Sequence, residues 1–167
     1  MNVITNTTVI SNFASVGRLA LLRQLFGEVY LSTEVYAEIQ DGLAEGHAFY
    51  TGIETHIRPL VPDGWLHLIA LMGEAELRLF GQLLDTLHRG EASSLAIAAE
   101  RGWAFFSDDA RARQIGRDLH VPVSSTLGVL LRAVKAQILP LAEANALLDQ
   151  MIHAGYRSPY TNLAELI

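Results

Sequence analysis

The stretch from Arg89 to Arg113, RGEASSLAIAAERGWAFFSDDARAR, constrains the fold more than any other. It reads as a helix, a turn, a short buried strand and a second helix. Gly90 can break an incoming helix. Glu91 then falls in the first turn of the next, where its charge suits the positive end of the helix dipole. Leu95, Ala96 and Ala99 form a small apolar stripe at helical spacing. Gly102 is a suitable C-cap. Trp103 to Phe106 is too short for a helix and rich in aromatics, which predicts a buried strand. Asp108 and Asp109 follow at once. In an open parallel sheet, ligands bind outside the carboxyl ends of the strands. Two carboxylates at that position are candidate metal ligands.

The flanking segments repeat the alternation of strand and helix. Asn2 to Thr5 predicts a first strand, and Asn6-Thr7-Thr8 opens a helix through about Phe13. Asn6 is a good N-cap, and it also stands just after a strand, where a site forms. Arg18 to Phe26 predicts a second helix that buries Leu19, Leu21, Leu22 and Leu25 and ends at Gly27. Val29 to Leu31 reads as a strand, capped into the next helix by Ser32 or Thr33. That helix carries Glu34 at its start and Glu38 one turn further in. Gly42 to Pro62 is irregular, and its His47 and His56 do not have the spacing of a metal motif. Trp65 to Leu71 predicts a strand leading into a helix from Glu74 to Leu87.

Beyond the central unit, Ala110 to Leu119 is helical and carries Arg111, Arg113 and Arg117. Arg113 and Arg117 share a face, solvated or turned to a phosphate backbone. Val121-Pro122-Val123 predicts an edge strand. Ser124-Ser125-Thr126 caps a helix from Leu127 to Gln137, and Pro140 begins the last long helix, through about His153. Tyr160, Leu163 and Leu166 dock the tail. The whole order predicts an α/β fold with a mostly parallel central sheet covered by helices. At 167 residues, positions 1–167 form a single domain in this reading.

Composition narrows the chemistry. There is no Cys, which excludes disulfides and thiolate metal sites and fits a cytoplasmic location. No basic-then-apolar leader and no long apolar run is present, so neither a signal peptide nor a membrane span is expected. The net charge of −6 gives no support to broad electrostatic capture of nucleic acid. A carboxylate site for a hard cation is itself acidic, so this balance is compatible with a nuclease. Asn6, Glu38, Glu91, Asp108 and Asp109 form a constellation compatible with one sheet edge. Such oxygens suit Mg²⁺ or Mn²⁺, which can activate a water for attack on a phosphodiester. The first two helices also carry Phe13, Leu19, Leu22 and Phe26 close together, a surface that a second copy or another protein could cover.

Four pieces carry a resemblance: ITNTTVISNF, VYLSTEVYAEI, HRGEASSLAIAAERG and FFSDDARARQIGRDLHVPVSSTLGVLLRAVKAQ. With them the chain resembles PIN-domain proteins, close to the VapC-type ribonuclease toxins of bacterial toxin–antitoxin pairs. The resemblance implies a three-layer α/β/α fold and a Mg²⁺- or Mn²⁺-dependent endoribonuclease acting on RNA. It also implies an antitoxin partner and a homodimer. Carried over by motif, the catalytic positions are Asn6, Glu38, Glu91 and Asp109, with Asn6, Glu91, Asp108 and Asp109 toward the metal. Thr8 matches a hydroxyl position of the first motif, and Arg111, Arg113 and Thr126 are the further substrate-facing candidates. The family's usual residue at the first position is Asp. Asn6 removes one negative charge, so the alternative is a catalytically weak protein that binds RNA or a partner. An unrelated phosphoryl-transfer enzyme would need an aspartate nucleophile after the first strand, a part Asn6 cannot play.

Overall fold

The first strand, β1 (Val3–Thr5), runs between β2 (Val29–Ser32) and β5 (Ala104–Phe106) near the middle of a six-stranded sheet. The computed structural model describes all residues from Met1 to Ile167. The remaining strands are β3 (Ile57–Arg58), β4 (Leu66–Ile69) and β6 (Val123–Ser124), and the order across the sheet is β3-β4-β2-β1-β5-β6. Every pairing is parallel, so the expected mostly parallel sheet is wholly parallel.

The pleat divides the apolar residues between the two faces, because successive side chains point oppositely. Val3, Ala104 and Phe106 join one core, and Ile4 and Phe105 join the other. The first core is covered by α1 (Thr7–Ser15), α2 (Ala20–Phe26), α3 (Thr33–Ala44), α7 (Thr126–Lys135) and α8 (Leu141–His153). The second is covered by α4 (Gly73–Leu83), α5 (Arg89–Arg101) and α6 (Ala110–Asp118). This is the three-layer arrangement the alternation predicts.

Local chemistry sets the element ends. Asn6, Ser32, Asp109 and Ser125 each accept a first-turn backbone N–H through the side chain, so four helices start at side-chain caps. Gly102 closes α5 in the left-handed conformation, which a residue with Cβ adopts at a cost.

Several expectations are corrected. The helix predicted from Glu74 to Leu87 stops at Leu83, since Leu87 is buried from a turn rather than from a helix face. The irregular stretch after Gly42 contains β3 and two single turns of 3₁₀ helix, Ala48–Tyr50 and Ile53–His56. The surface of the first two helices is covered by the chain itself: Phe13 and Leu22 are buried, and Leu19 and Phe26 are half-buried against the same core. Gly90 lies inside α5 rather than breaking an incoming helix. A Cβ there would stand 2.6 Å from Glu38 Oε1, so glycine is what admits that carboxylate.

Candidate functional site

β1 and β5 are neighbours from distant parts of the chain, and the winding reverses between them. Their carboxyl ends open the crevice in which parallel sheets bind ligands. Asn6 leaves β1 there, and Ser107-Asp108-Asp109 leave β5. The Asn6 amide N–H donates to the Phe106 carbonyl at 3.0 Å, which ties the two exits together. A cleft of about 410 Å³ lies over this edge, lined by Thr8, Asn12, Glu91, Asp108, Asp109 and Arg157 among others. A larger cavity of about 550 Å³ on the α2–α7 face holds no acid, so size alone does not mark the reactive region.

Asn6 is buried, and its two side-chain atoms have separate tasks. Oδ1 accepts from the Val9 N–H at 3.4 Å and from the Thr8 hydroxyl at 2.9 Å. Nδ2 donates to Ser107 Oγ at 2.9 Å and, at a long 3.5 Å, to Glu91 Oε1. The helix cap fixes this orientation, because a flipped amide would set N–H against N–H. The side expected to ligate a metal therefore caps α1, and the side facing Glu91 is a donor. Thr8, expected at the substrate, orients the Asn6 oxygen.

Glu91 sits in the first turn of α5 and accepts the His88 N–H at 3.3 Å. Burial pushes its carboxyl above the usual carboxylate range, and the charge of Asp109 pushes it further, with a smaller push from Glu38. Neither Glu91 nor Asp109 is in an ion pair. Asp109 Oδ1 accepts the Ala112 N–H at 2.8 Å as the cap of α6. Glu38 reaches across from α3, accepting from the Thr7 hydroxyl and from the Gly90 N–H at 3.0 Å.

Asp108 is the opposite case, although it is the next residue. Its Oδ1 accepts the Thr126 N–H at 2.8 Å and the Tyr156 hydroxyl at 3.4 Å. Its Oδ2 accepts the Thr126 hydroxyl at 2.7 Å and Asn12 Nδ2 at 2.9 Å. Both oxygens are occupied in joining β5 to α1, α7 and the tail, which leaves it poorly suited to the metal role expected of it. Thr126, expected to face the substrate, is fully buried in the same knot. Burial and the Asp108 charge push the Tyr156 phenol up, so it remains a donor.

The arginines divide likewise. Arg113 turns inward and donates to the Ser107 carbonyl at 2.8 Å, bracing the β5 exit. Arg111 is exposed at the start of α6. Sequence reasoning missed Ser107, Asn12 and Tyr156. Ser107 has a legible signal, as the first residue past a buried strand. Asn12 has a weaker one, a polar residue directly before the apolar Phe13 on α1.

The donor chemistry fits a hard divalent cation in part. Glu91 and Asp109 are hard oxygen ligands under mutual repulsion, which a cation would relieve. No trio of acids or imidazoles is drawn into one coordination shell as these side chains stand. The chain belongs to the PIN-domain family designated DUF3368, which it matches over residues 2–167. No curated protein matches the chain. No helix is long and apolar enough to cross a membrane.

Proposed function

We propose that this protein is a Mg²⁺- or Mn²⁺-dependent endoribonuclease of the toxin kind. The observation that carries the reading is the gathering of Glu91, Asp109 and Glu38 at the switch point, with Glu91 pushed up first by burial and then by the Asp109 charge, and in no ion pair. Glu91 and Asp109 are the residues that would hold the ion. A bound ion supplies a polarised water and neutralises charge on the leaving oxygen. Glu38, anchored by Thr7 and Gly90, keeps α3 and α5 at the separation the cleft requires. Asn6 orients Glu91 and Ser107 from its donor side.

The second reading, a protein that binds RNA or a partner with little catalysis, is favoured by the same Asn6. It offers the cleft an N–H where a ligand needs a lone pair. An antitoxin, a homodimer and a cytoplasmic location belong to the toxin reading. Leu60, Met72 and Leu77, each more than half exposed, are apolar surface for such contacts.

RNA cleavage by purified protein with Mg²⁺ or Mn²⁺, with and without chelator, separates the two readings. Glu91→Gln and Asp109→Asn are each expected to reduce cleavage by about 100-fold or more. Asn caps a helix as well as Asp, so Asp109→Asn retains α6. Cleavage that persists in chelator, or in both variants, refutes the metal-dependent assignment.

A further inference from the structure

Phe49 is an exposed aromatic ring fixed at the side of the acid cleft. It lies in the 3₁₀ turn Ala48–Tyr50 and is 40% exposed, whereas its neighbour Tyr50 is 3% exposed and belongs to the core. Tyr50 packs under it with ring centroids 4.5 Å apart, and the His47 ring lies nearly parallel to it, at 5.7 Å and 10°. The turn is thus anchored by one aromatic and displays the next.

Three adjoining cavities share this ring. One is the acid cleft. The second holds Thr7, Ser11 and Glu38, and the third holds Ala14, Leu19 and Ile53. Along α1, Thr8, Ser11 and Ser15 form the cleft's hydroxyl-bearing wall at helical spacing. Arg157, exposed and in no ion pair, lines the same cleft.

We infer that Phe49 is a base-stacking platform for single-stranded RNA, with Arg157 as a contact to the phosphate backbone. The inference rests on the RNA-cleaving reading of the cleft and names how its substrate is held. A nucleobase is flat and neutral, so it can stack on an exposed ring beside carboxylates that repel phosphates. A guanidinium is the side chain suited to the backbone that such a base carries with it. A peptide helix would need an apolar stripe, and Phe49, Ala154 and Tyr156 are the only carbon-rich side chains of this cleft.

The test is binding of a short fluorescent single-stranded RNA at low salt in chelator, where no cleavage confuses the readout. Phe49→Ala and Phe49→Leu are both expected to weaken binding by about tenfold, because leucine restores apolar bulk but not a ring face. Phe49→Trp is expected to bind at least as well as the wild type. An RNA lacking bases should bind the wild type no better than ordinary RNA binds Phe49→Ala. Unchanged affinity in Phe49→Ala overturns the platform and leaves the cleavage assignment standing. Absence of RNA binding by every form, together with absence of metal-dependent cleavage, removes both. A change in oligomeric state on light scattering, with RNA affinity intact, makes this surface a protein interface and also overturns the inference.

Discussion

At the C-terminal end of α5, Arg101 grips the buried Glu76 of α4 through Nε at 2.6 Å and a second nitrogen at 3.0 Å. The Met72 N–H adds a third bond to that carboxylate at 2.7 Å. Burial would raise the Glu76 carboxyl, but Arg101 and Met72 outweigh it and hold the group below the usual range. At the N-terminal end of the same helix, Glu91 has the helix dipole and the His88 N–H in its favour, yet it is held above that range. Burial raises both carboxyls; Arg101 and Met72 reverse it at one end, while at the other Asp109 and Glu38 add to it and His88 offsets it only in part. A carboxylate that only needs to hold α4 to α5 is given its counter-charge by the protein. One left beside further acids and in no ion pair is suited to an external cation.

The largest test of this contrast is removal of the counter-charge partner. Glu76→Gln should destabilise the fold by about 3 kcal/mol, because it leaves Arg101 facing a neutral amide in a mostly buried pair. Denaturant midpoints measure it. The wild-type contribution is present above the ordinary glutamate value near 4.5 and is lost as pH falls through the lowered value, since the unfolded chain then binds the proton more tightly. A stability unaffected by Glu76→Gln would remove one side of the comparison.

Next comes Asn6→Asp, expected to cost about 1–2 kcal/mol without metal. The cap to Val9 survives, but the donor to Ser107 and Glu91 becomes a further negative charge at the switch point. Mn²⁺ should reverse the loss and raise the melting temperature more than it does for the wild type. Equal Mn²⁺ responses in the two proteins would reduce Asn6 to a helix cap.

The smallest effect is expected from Glu91→Gln, a stabilisation on the order of 1 kcal/mol at neutral pH. The sign is opposite to that of Glu76. A carboxyl raised in the folded state binds its proton more tightly there, so its cost appears as pH rises above about 4.5 and is complete above the raised value. Denaturation curves across that window should diverge for wild type and variant, and converge in acid.

Much of this edge is legible from residue types. The alternation around β1 and β5 places Asn6, Glu91 and the Ser107-Asp108-Asp109 turn at strand or helix junctions, because caps and apolar periods are local signals. β3 is not legible, since two residues carry no period. The end of α4 misleads because Leu84 and Leu87 continue the apolar spacing after the helix has stopped.

By itself, then, the sequence determined the parallel fold covered by helices, the side-chain caps at Asn6, Ser32 and Ser125 and the candidacy of its acids, all properties of short windows. Only the tertiary structure decided between them. Asp108 and Asp109 are identical neighbours in sequence, yet Asp108 is engaged by Asn12, Thr126 and Tyr156, while Asp109 faces Glu91. Likewise, nothing local to Asn6 says that its nitrogen, not its oxygen, turns to the cleft. The reason is physical: the charge state and the free lone pairs of a side chain depend on which distant groups the sheet brings against it.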